Sequence, residues 1–360
     1  DLIERAARVK EFMNYQITNV MEEFDPELDQ MLFYLSLSGS SFKKVYFDQA
    51  LGRAVSKFIT AEDLVVNYNA TDLQSAERVT HIIRMSENEL KKHQVFGFYR
   101  DIDLGSAGDP ELNPIEEKID ELNGMTRTGY GSDQYSILEM HVNLDIPNFE
   151  DIHPETGEPS GIALPYIVSI NYDTSDILGI RRNFGEGDTS LKRKDYFIHY
   201  KFLPGLGFYG FGLIHMIGGL ASTATSILRQ LIDAGTFSNL PGGFKARGTR
   251  IEGGDSPVNP GEWKDVDTPG GNIGQIFMPL PYKEPSNVLL QLLGLVIDSG
   301  RRFASIADTT ISESGSQQNP VGTTMALIER GSKVMSAIHK RLHYAQRKEF
   351  KLLSDVFAEY

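Results

Sequence analysis

The last third of the chain constrains the fold most, because helical patterns alternate there with stretches that cannot be helical. Helical spacing of apolar residues covers 212–234, 286–306 and 321–360. A segment dense in glycine and proline separates the first two, and the polar loop 307–320 separates the last two. A helical pair with a small insertion buries little by itself, so its apolar side chains need partners. Identical neighbours in an oligomer would supply them.

The first two thirds predict helices combined with a mostly antiparallel sheet, which makes the fold class α+β. The predicted helices are 2–23, 28–37, 87–98 and 115–122, and the predicted strands are 42–47, 53–59, 64–68, 79–85, 136–146, 166–172, 177–181 and 196–202. Alternation is clearest in 136–146, where Leu138, Met140 and Val142 share one face while Glu139 and His141 share the other. Short strands are also expected at 244–251 and 275–278.

Composition limits the classes of function open to this chain. Its 360 residues carry a formal net charge of −14, so the molecule as a whole repels nucleic acid at long range. There is no cysteine, which excludes disulfides and thiolate metal sites. The chain begins at Asp1 and ends at Tyr360 inside predicted helices, so we expect it to be the ordered part of a longer polypeptide.

A glycine-rich loop gives the sharpest enzyme-like signal. Gly205, Gly207 and Gly210 follow a predicted strand and precede a helix, as in dinucleotide-binding loops. Pro204 interrupts the strand, and Phe208 is bulky for a phosphate cradle. A flexible bend is the favoured interpretation, and a nucleotide-binding enzyme that uses 205–212 is kept as an alternative.

Segment 202–228 contains no Asp, Glu, Lys or Arg, which is long enough to suggest a membrane span. Pro204 and the glycines that follow break its first third, and the rest is rich in Ser and Thr. A membrane-embedded channel component therefore remains a second alternative, and no membrane partner is expected.

No cofactor or metal site is predicted. His339 and His343 share one helix face, but two histidines do not complete a metal site. The acidic run at Asp101, Asp103 and Asp109 lacks the final glutamate of a calcium loop. A solvated loop is the better interpretation.

Small residues mark the helix at 212–234 as a packing surface. They are Gly218, Gly219, Ala221 and Ser222. Small side chains let helices approach closely, whereas in a monomer the glycines would only weaken the helix. This pattern favours an oligomer.

Four long stretches, in order along the chain, together resemble the portal protein of short-tailed bacteriophages. They are 31–66 (MLFYLSLSGSSFKKVYFDQALGRAVSKFITAEDLVV), 77–90 (ERVTHIIRMSENEL), 202–248 (FLPGLGFYGFGLIHMIGGLASTATSILRQLIDAGTFSNLPGGFKARG) and 316–353 (SQQNPVGTTMALIERGSKVMSAIHKRLHYAQRKEFKLL). The resemblance implies a structural, non-enzymatic head-to-tail connector. Twelve copies would form a homododecameric ring at one capsid vertex.

The resemblance also implies a division of the chain into named parts. They are a wing at 1–211, a first stem helix at 212–235, a clip at 236–284, a second stem helix at 285–306, a tunnel loop at 307–320 and a long wing helix at 321–360 that leads toward a crown beyond Tyr360. The ring would carry double-stranded DNA during genome packaging and ejection, without sequence specificity. Its other partners would be the terminase large subunit, head–tail adaptor proteins, and the major capsid and scaffolding proteins. It would assemble in the host cytoplasm and reside in the virion.

Charge and polarity then suggest which residues meet DNA. An acidic conduit with few basic points would let its cargo slide, because phosphate contacts accumulate with the number of Lys and Arg side chains. The basic residues of the clip and stem are Lys245, Arg247, Arg250, Arg301 and Arg302, and the polar residues of the tunnel loop are Ser316, Gln317, Gln318 and Asn319. For the basic residues, salt bridges between subunits are the competing interpretation.

Overall fold

The structure is a computed structural model, and two compact units make up the chain. It describes residues 2–105, 118, 121, 124, 134–153, 157–185, 188, 190–239, 243–245, 250–251, 266–267, 277–279, 284–304 and 321–360. The first unit comprises Asp1–Ile214 with Lys333–Tyr360, and the second comprises His215–Ser332. The fold is mixed α+β, as the sequence predicts.

Six α-helices lie in the described part of the chain. They are α1 (Leu2–Tyr15), α2 (Phe24–Ser38), α3 (Glu87–Val95), α4 (Leu213–Asn239), α5 (Asn287–Ala304) and α6 (Val321–Glu359). A π-helical turn, Gln16–Val20, continues α1, so the first predicted helix ends near its expected boundary but with a change of winding. The expected helix at 115–122 and the loop at 307–320 lie outside the described residues, apart from isolated positions.

The strands form two antiparallel sheets in the first unit and two short pairs in the second. They are β1 (Ser40–Asp48), β2 (Arg53–Ile59), β3 (Leu64–Val66), β4 (Arg78–Met85), β5 (Tyr135–Leu144), β6 (Leu164–Asn171), β7 (Ile177–Arg182), β8 (Phe197–Lys201), β9 (Gly243–Lys245), β10 (Arg250–Ile251), β11 (Val266–Asp267) and β12 (Phe277–Pro279). Sheet one has the order β2-β1-β8, and sheet two has the order β3-β4-β5-β6-β7. The short pairs are β10-β11 and β12-β9.

The predicted hairpin of β1 and β2 is confirmed. Asp48 lies opposite Arg53, and its carboxylate accepts the N–H groups of Ala50 at 2.8 Å and Leu51 at 3.2 Å. Gly52 has a φ of 63°, a conformation that glycine adopts at little cost. Aspartate and glycine therefore supply the turn chemistry that fixes the register of this hairpin.

A close backbone crossing joins the end of α2 to the segment before α4. Gly39 ends α2 with a φ of 84°, and its N–H donates to the carbonyl of Leu35 at 2.9 Å. A Cβ atom on Gly39 would lie 2.2 Å from the backbone nitrogen of Gly212. A Cβ on Gly212 would in turn lie 2.2 Å from the carbonyl oxygen of Leu37. Both positions therefore need glycine.

The alternation predicted for β5 is confirmed, but the polar face is the more deeply buried one. Glu139 and His141 are buried, whereas Met140 and Val142 on the opposite face are only partly covered. The partner that makes this burial tolerable is Lys44 of β1, which lies in the other sheet.

The largest core cluster fixes the C-terminal end of α6 to sheet one. Leu353 of α6 is fully buried with Met31 and Leu35 of α2 and with Tyr200 of β8. Removing an aliphatic side chain of this size from water contributes about 1.5–3 kcal/mol. The last part of α6 therefore belongs to the first unit.

Two predicted helix ends need correction. Gly235 was expected to end the helix predicted at 212–234, but α4 continues through it to Asn239. A helical glycine weakens a helix without ending it where the chain beyond still finds helical hydrogen bonds. The helix α3 begins with the capping box of Ser86 and Glu89 and ends at Val95, before the predicted Phe98.

Candidate functional site

The small-residue face of α4 is open. Gly219, Ala221 and Ser222 are exposed and Gly218 is half-buried. A Cβ atom on Gly219 would meet no atom of the described residues within 4 Å. The Thr223 hydroxyl donates to the carbonyl of Gly219 at 2.9 Å, so this polar side chain is satisfied within the helix. This face is free to receive a close neighbour.

Apolar side chains on α5 are exposed around the helix. Val288 is 71% exposed, Leu290 59% and Leu295 66%, and no residue from 287 to 301 is buried. On α4, Leu228 and Ile232 are also exposed. A helix that leaves apolar residues uncovered on several sides marks a site of protein–protein contact.

The basic residues expected to meet DNA are only partly placed. Arg301 is exposed on α5, and Arg302 follows it on the same helix. Arg250 lies opposite Asp267 in the register of β10 and β11, and Lys245 lies opposite Phe277 in that of β9 and β12. The remaining predicted residues, Arg247 and Ser316, Gln317, Gln318 and Asn319, lie outside the described residues. That these residues share one surface stays a prediction.

The glycine-rich loop has a packing role inside the first unit. The N–H of Gly210 donates to the Ser40 hydroxyl at 2.7 Å. Phe208 is buried and stacks on Phe42 with ring centroids 5.9 Å apart. A Cβ on Gly205 would lie 2.1 Å from the carbonyl oxygen of Tyr209. A Cβ on Gly210 would lie 2.5 Å from the carbonyl oxygen of Gly39, so packing accounts for Gly205 and Gly210 without a bound phosphate, but it does not account for Gly207.

The structure can be compared with the suggested membrane span and with the histidine pair of the last helix. In the described part of the chain, no helix combines the length and the apolar character needed to cross a membrane. The rings of His339 and His343 lie 6.1 Å apart on α6. Across the described residues, no cluster of three or more His, Asp or Glu side chains has a geometry that could hold a metal ion.

A buried ionic cluster ties α6 to sheet one. Glu349 is fully buried, and its carboxylate pairs with the Lys43 ammonium at 3.0 Å and accepts the Ser56 hydroxyl at 2.6 Å. The Tyr200 hydroxyl donates to the other carboxylate oxygen. Burial and the negative charge of Glu349 both raise the pKa of Tyr200, so this phenol stays protonated.

A second buried cluster joins the two sheets. The Lys44 ammonium lies 2.7 Å from the carboxylate of Glu139, and His141 lies 2.9 Å from the same oxygen. Burial pushes the pKa of Glu139 upward, but the Lys44 charge and the His141 hydrogen bond outweigh it and hold that pKa well below its usual range. Burial lowers the pKa of His141. Paired in this way, Glu139 is a structural carboxylate.

A groove of about 1030 Å³ lies in the first unit between α6 and sheet one. Its buried floor is apolar and includes Val45, Ile198 and Ala345. Its basic side chains are Lys192, Arg193, Lys194, Lys201, Lys340, Arg341, Lys348 and Lys351, and its acidic side chains are Asp72, Asp195, Asp355 and Glu359. The groove is thus a basic site on an acidic chain.

Some of the basic groups in this groove are already occupied. Arg193 donates to the carbonyls of Leu73 at 2.7 Å and Ala76 at 2.8 Å, and Arg341 donates to the carbonyl of Phe202 at 3.0 Å. Lys194 pairs with Glu359 at 2.7 Å. The arginines therefore shape the groove, and the other lysines remain for a ligand.

The sequence gives only part of the signal for this groove. A basic stretch is visible on the last helix, and the run Lys192, Arg193 and Lys194 is visible in a loop, but nothing local indicates that they face one another. Long-range packing of α6 on sheet one brings them together.

Comparison with known proteins adds no family. No protein-family model matches the chain, and a search of curated proteins finds none of detectable similarity. The resemblance to phage portal proteins therefore remains a prediction from the sequence.

Proposed function

We propose that this chain is a structural subunit of a homo-oligomeric ring of the tailed-phage portal type. Twelve copies would surround a channel for double-stranded DNA at a capsid vertex, and the ring would serve genome packaging and ejection. In the same proposal the clip docks the terminase large subunit and the adaptor proteins, and the wing contacts capsid and scaffolding proteins. The chain performs no chemistry in this role.

The observation that carries the proposal is the uncovered apolar surface of α5. Val288, Leu290 and Leu295 are more than half exposed in the single chain. Leaving such side chains in water forfeits roughly 25 cal/mol for each Å² that a neighbour would cover. Copies of the same helix pair, repeated around a closed ring, would bury these side chains in equivalent contacts.

Two further features support the same role. The open face at Gly219 permits close approach of a neighbouring helix. The net charge of −14 suits a channel that must not hold its cargo, since tight DNA binding requires many phosphate contacts. The order of α4, short strands, α5 and α6 also follows the stem, clip, stem and wing-helix order that the resemblance implies.

The native mass of the purified protein tests this proposal. We expect native mass spectrometry to report about twelve copies per particle, and negative-stain images to show rings with an open centre wide enough for a DNA duplex. A stable monomer or dimer at micromolar concentration would refute the ring. Closed particles without a central channel would refute the conduit while leaving the oligomer in place.

A further inference from the structure

The groove between α6 and sheet one contains five lysines for which the described residues provide no ion-pair partner. Lys192, Lys201, Lys340, Lys348 and Lys351 form no ion pair with any carboxylate in the described part of the chain. They come from the loop before β8, from the end of β8 and from one face of α6. Their convergence on one cavity leaves a surplus of positive charge there.

The long wall of the groove is one face of α6. Lys340, Tyr344, Lys348, Lys351 and Asp355 follow one another at helical spacing along it. From Lys340 to Glu359 this face extends about 29 Å, at 1.5 Å per residue. Tyr344 is 62% exposed, and the Lys348 ammonium lies 5.1 Å from its ring centroid. The wall could therefore receive a ligand several helical turns long.

The charges are distributed unevenly along this wall. Asp355 and Glu359 occupy its C-terminal end, where Glu359 is already paired with Lys194. The unpaired lysines of α6 occupy the other end. On the opposite side, Lys201 lies near Asp72, whose carboxylate is held by the N–H groups of Gln74 at 2.9 Å and Ser75 at 2.7 Å. A complementary ligand must carry negative charge locally and tolerate acidic neighbours.

We propose that this groove docks an acidic amphipathic peptide segment of a partner protein. The partly buried Leu73, Leu352 and Val356 of the lining take apolar side chains of the peptide, and the lysines at the rim pair with its carboxylates. A DNA backbone fits less well, because it has nothing to place on these apolar side chains and meets the groove's own carboxylates. The proposal is independent of the ring, since every lining residue belongs to the first unit.

Fluorescence anisotropy on the full chain tests the proposal. The probe is a fluorescein-labelled peptide of about 14 residues, or about four helical turns, with leucines at helical spacing and glutamates elsewhere. We expect it to bind, and we expect the variant K340E/K348E/K351E to bind at least about tenfold more weakly. The matched control K10E/K91E/K92E reverses three exposed lysines outside the groove, changes the net charge equally and should stay within about twofold of the parent.

Two more arms separate docking from charge attraction alone. Tyr344→Ala should weaken binding about fivefold, because it removes exposed ring surface from the wall and leaves the charge unchanged. A peptide of the same composition with scrambled leucine spacing should bind at least about tenfold more weakly. If the reversal variant loses its circular dichroism spectrum, K340Q/K348Q/K351Q replaces it. The proposal is overturned if the scrambled peptide or a DNA duplex binds as tightly as the probe, or if the groove and control variants bind alike.

Discussion

At the scale of single residues, two ion pairs attach the described side chains of α6 to the rest of the first unit, and they differ in burial. Lys43 and Glu349 are both fully buried, whereas Lys194 and Glu359 are 38% and 51% exposed. Removing one member of a buried pair leaves the other charge without compensation, but an exposed ion is stabilised by water instead. The two pairs therefore offer a matched comparison on one helix.

We expect Glu349→Ala to lower the free energy of unfolding by about 3–5 kcal/mol, because Lys43, Ser56 and Tyr200 lose their common acceptor. Glu359→Ala should lower the free energy of unfolding by less than about 1 kcal/mol. The double variant K43M/E349A should be less destabilised than Glu349→Ala, because it leaves no buried ammonium without a counter-charge. Urea unfolding at one fixed protein concentration measures all three, and equal costs for the two single variants would contradict the assignment.

Partly buried histidines make the stability depend on pH. Burial lowers the pKa of His81 to about 3 and the pKa of His199 to about 3, with the charges of Lys44 and Lys201 adding to the respective shifts. In the unfolded chain a histidine has a pKa of about 6.5, so between about pH 6.5 and pH 3 the unfolded state binds more protons. The stabilisation is complete above pH 6.5 and decreases as the pH falls.

His81→Phe isolates one of these groups. Among the described residues the ring Nδ1 of His81 finds no hydrogen-bond partner, and its ring meets Phe197 edge-on at 6.0 Å, so phenylalanine keeps the packing and removes the titration. Between pH 8 and pH 5 we expect the parent to lose about 2 kcal/mol more stability than this variant does. Urea midpoints at the two pH values give the difference. An unchanged loss would show that His81 is not buried in its neutral form.

At the scale of elements, the crossing between Gly39 and Gly212 holds the end of α2 against the segment that leads into α4. Gly39 and Gly52 both have positive φ, of 84° and 63°, but only Gly39 has backbone atoms in the space that a Cβ would fill. Comparing the two glycines therefore separates conformational strain from steric exclusion.

We expect Gly52→Ala to lower the free energy of unfolding by about 1 kcal/mol, the usual penalty for alanine in the left-handed backbone conformation. Gly39→Ala should cost at least about 2 kcal/mol more, because the backbone of Phe211 and Gly212 must move away. Thermal or urea unfolding gives both values. Similar costs at the two positions would mean that the crossing gives way easily and does not hold the elements together.

Local patterns predicted elements well and their partners poorly. The β1–β2 hairpin follows from a turn of Asp48 to Gly52 between two apolar runs, so its pairing is readable from neighbouring residues. The pairing of β1 with β8 joins residues far apart in the chain, and no local pattern encodes it. The burial of Glu139 likewise depends on Lys44, which packing supplies from the other sheet.

For the candidate sites too, local patterns were predicted and long-range contacts were missed. The small residues at Gly218–Ser222 were visible as a helical pattern, and the structure confirms that they lie on a helix. The basic groove was not predicted, since its lysines come from β8, a loop and α6. Gly235 misled the prediction of a helix end because propensity alone does not show that α4 continues to Asn239.

At the scale of the whole molecule, the two units differ in how many apolar side chains they bury within the chain. The first unit has buried clusters with paired charges, as a self-sufficient fold does. In the described part of the second unit, Ile227 is the only buried apolar side chain of α4 and α5. Assembly is thus expected to depend on the second unit, and a change there should alter the oligomer before it alters the fold.

Gly219→Leu tests this dependence. Among the described residues no atom lies within 4 Å of a Cβ placed on Gly219, and leucine favours a helix by about 0.8 kcal/mol over glycine. We therefore expect the variant subunit to fold. When both proteins are monomeric and at equal subunit concentration, its circular dichroism spectrum should match that of the parent, and its thermal stability should match or exceed it. In the proposed ring, however, the leucine would occupy space needed by the neighbouring helix, so native mass spectrometry should show dissociated subunits or smaller oligomers. Gly219→Ala adds a single methyl group and should reduce assembly less. If Gly219→Leu forms rings of unchanged size and yield, this face of α4 does not contact a neighbour. The apolar surface of α5 must then be buried by a different contact.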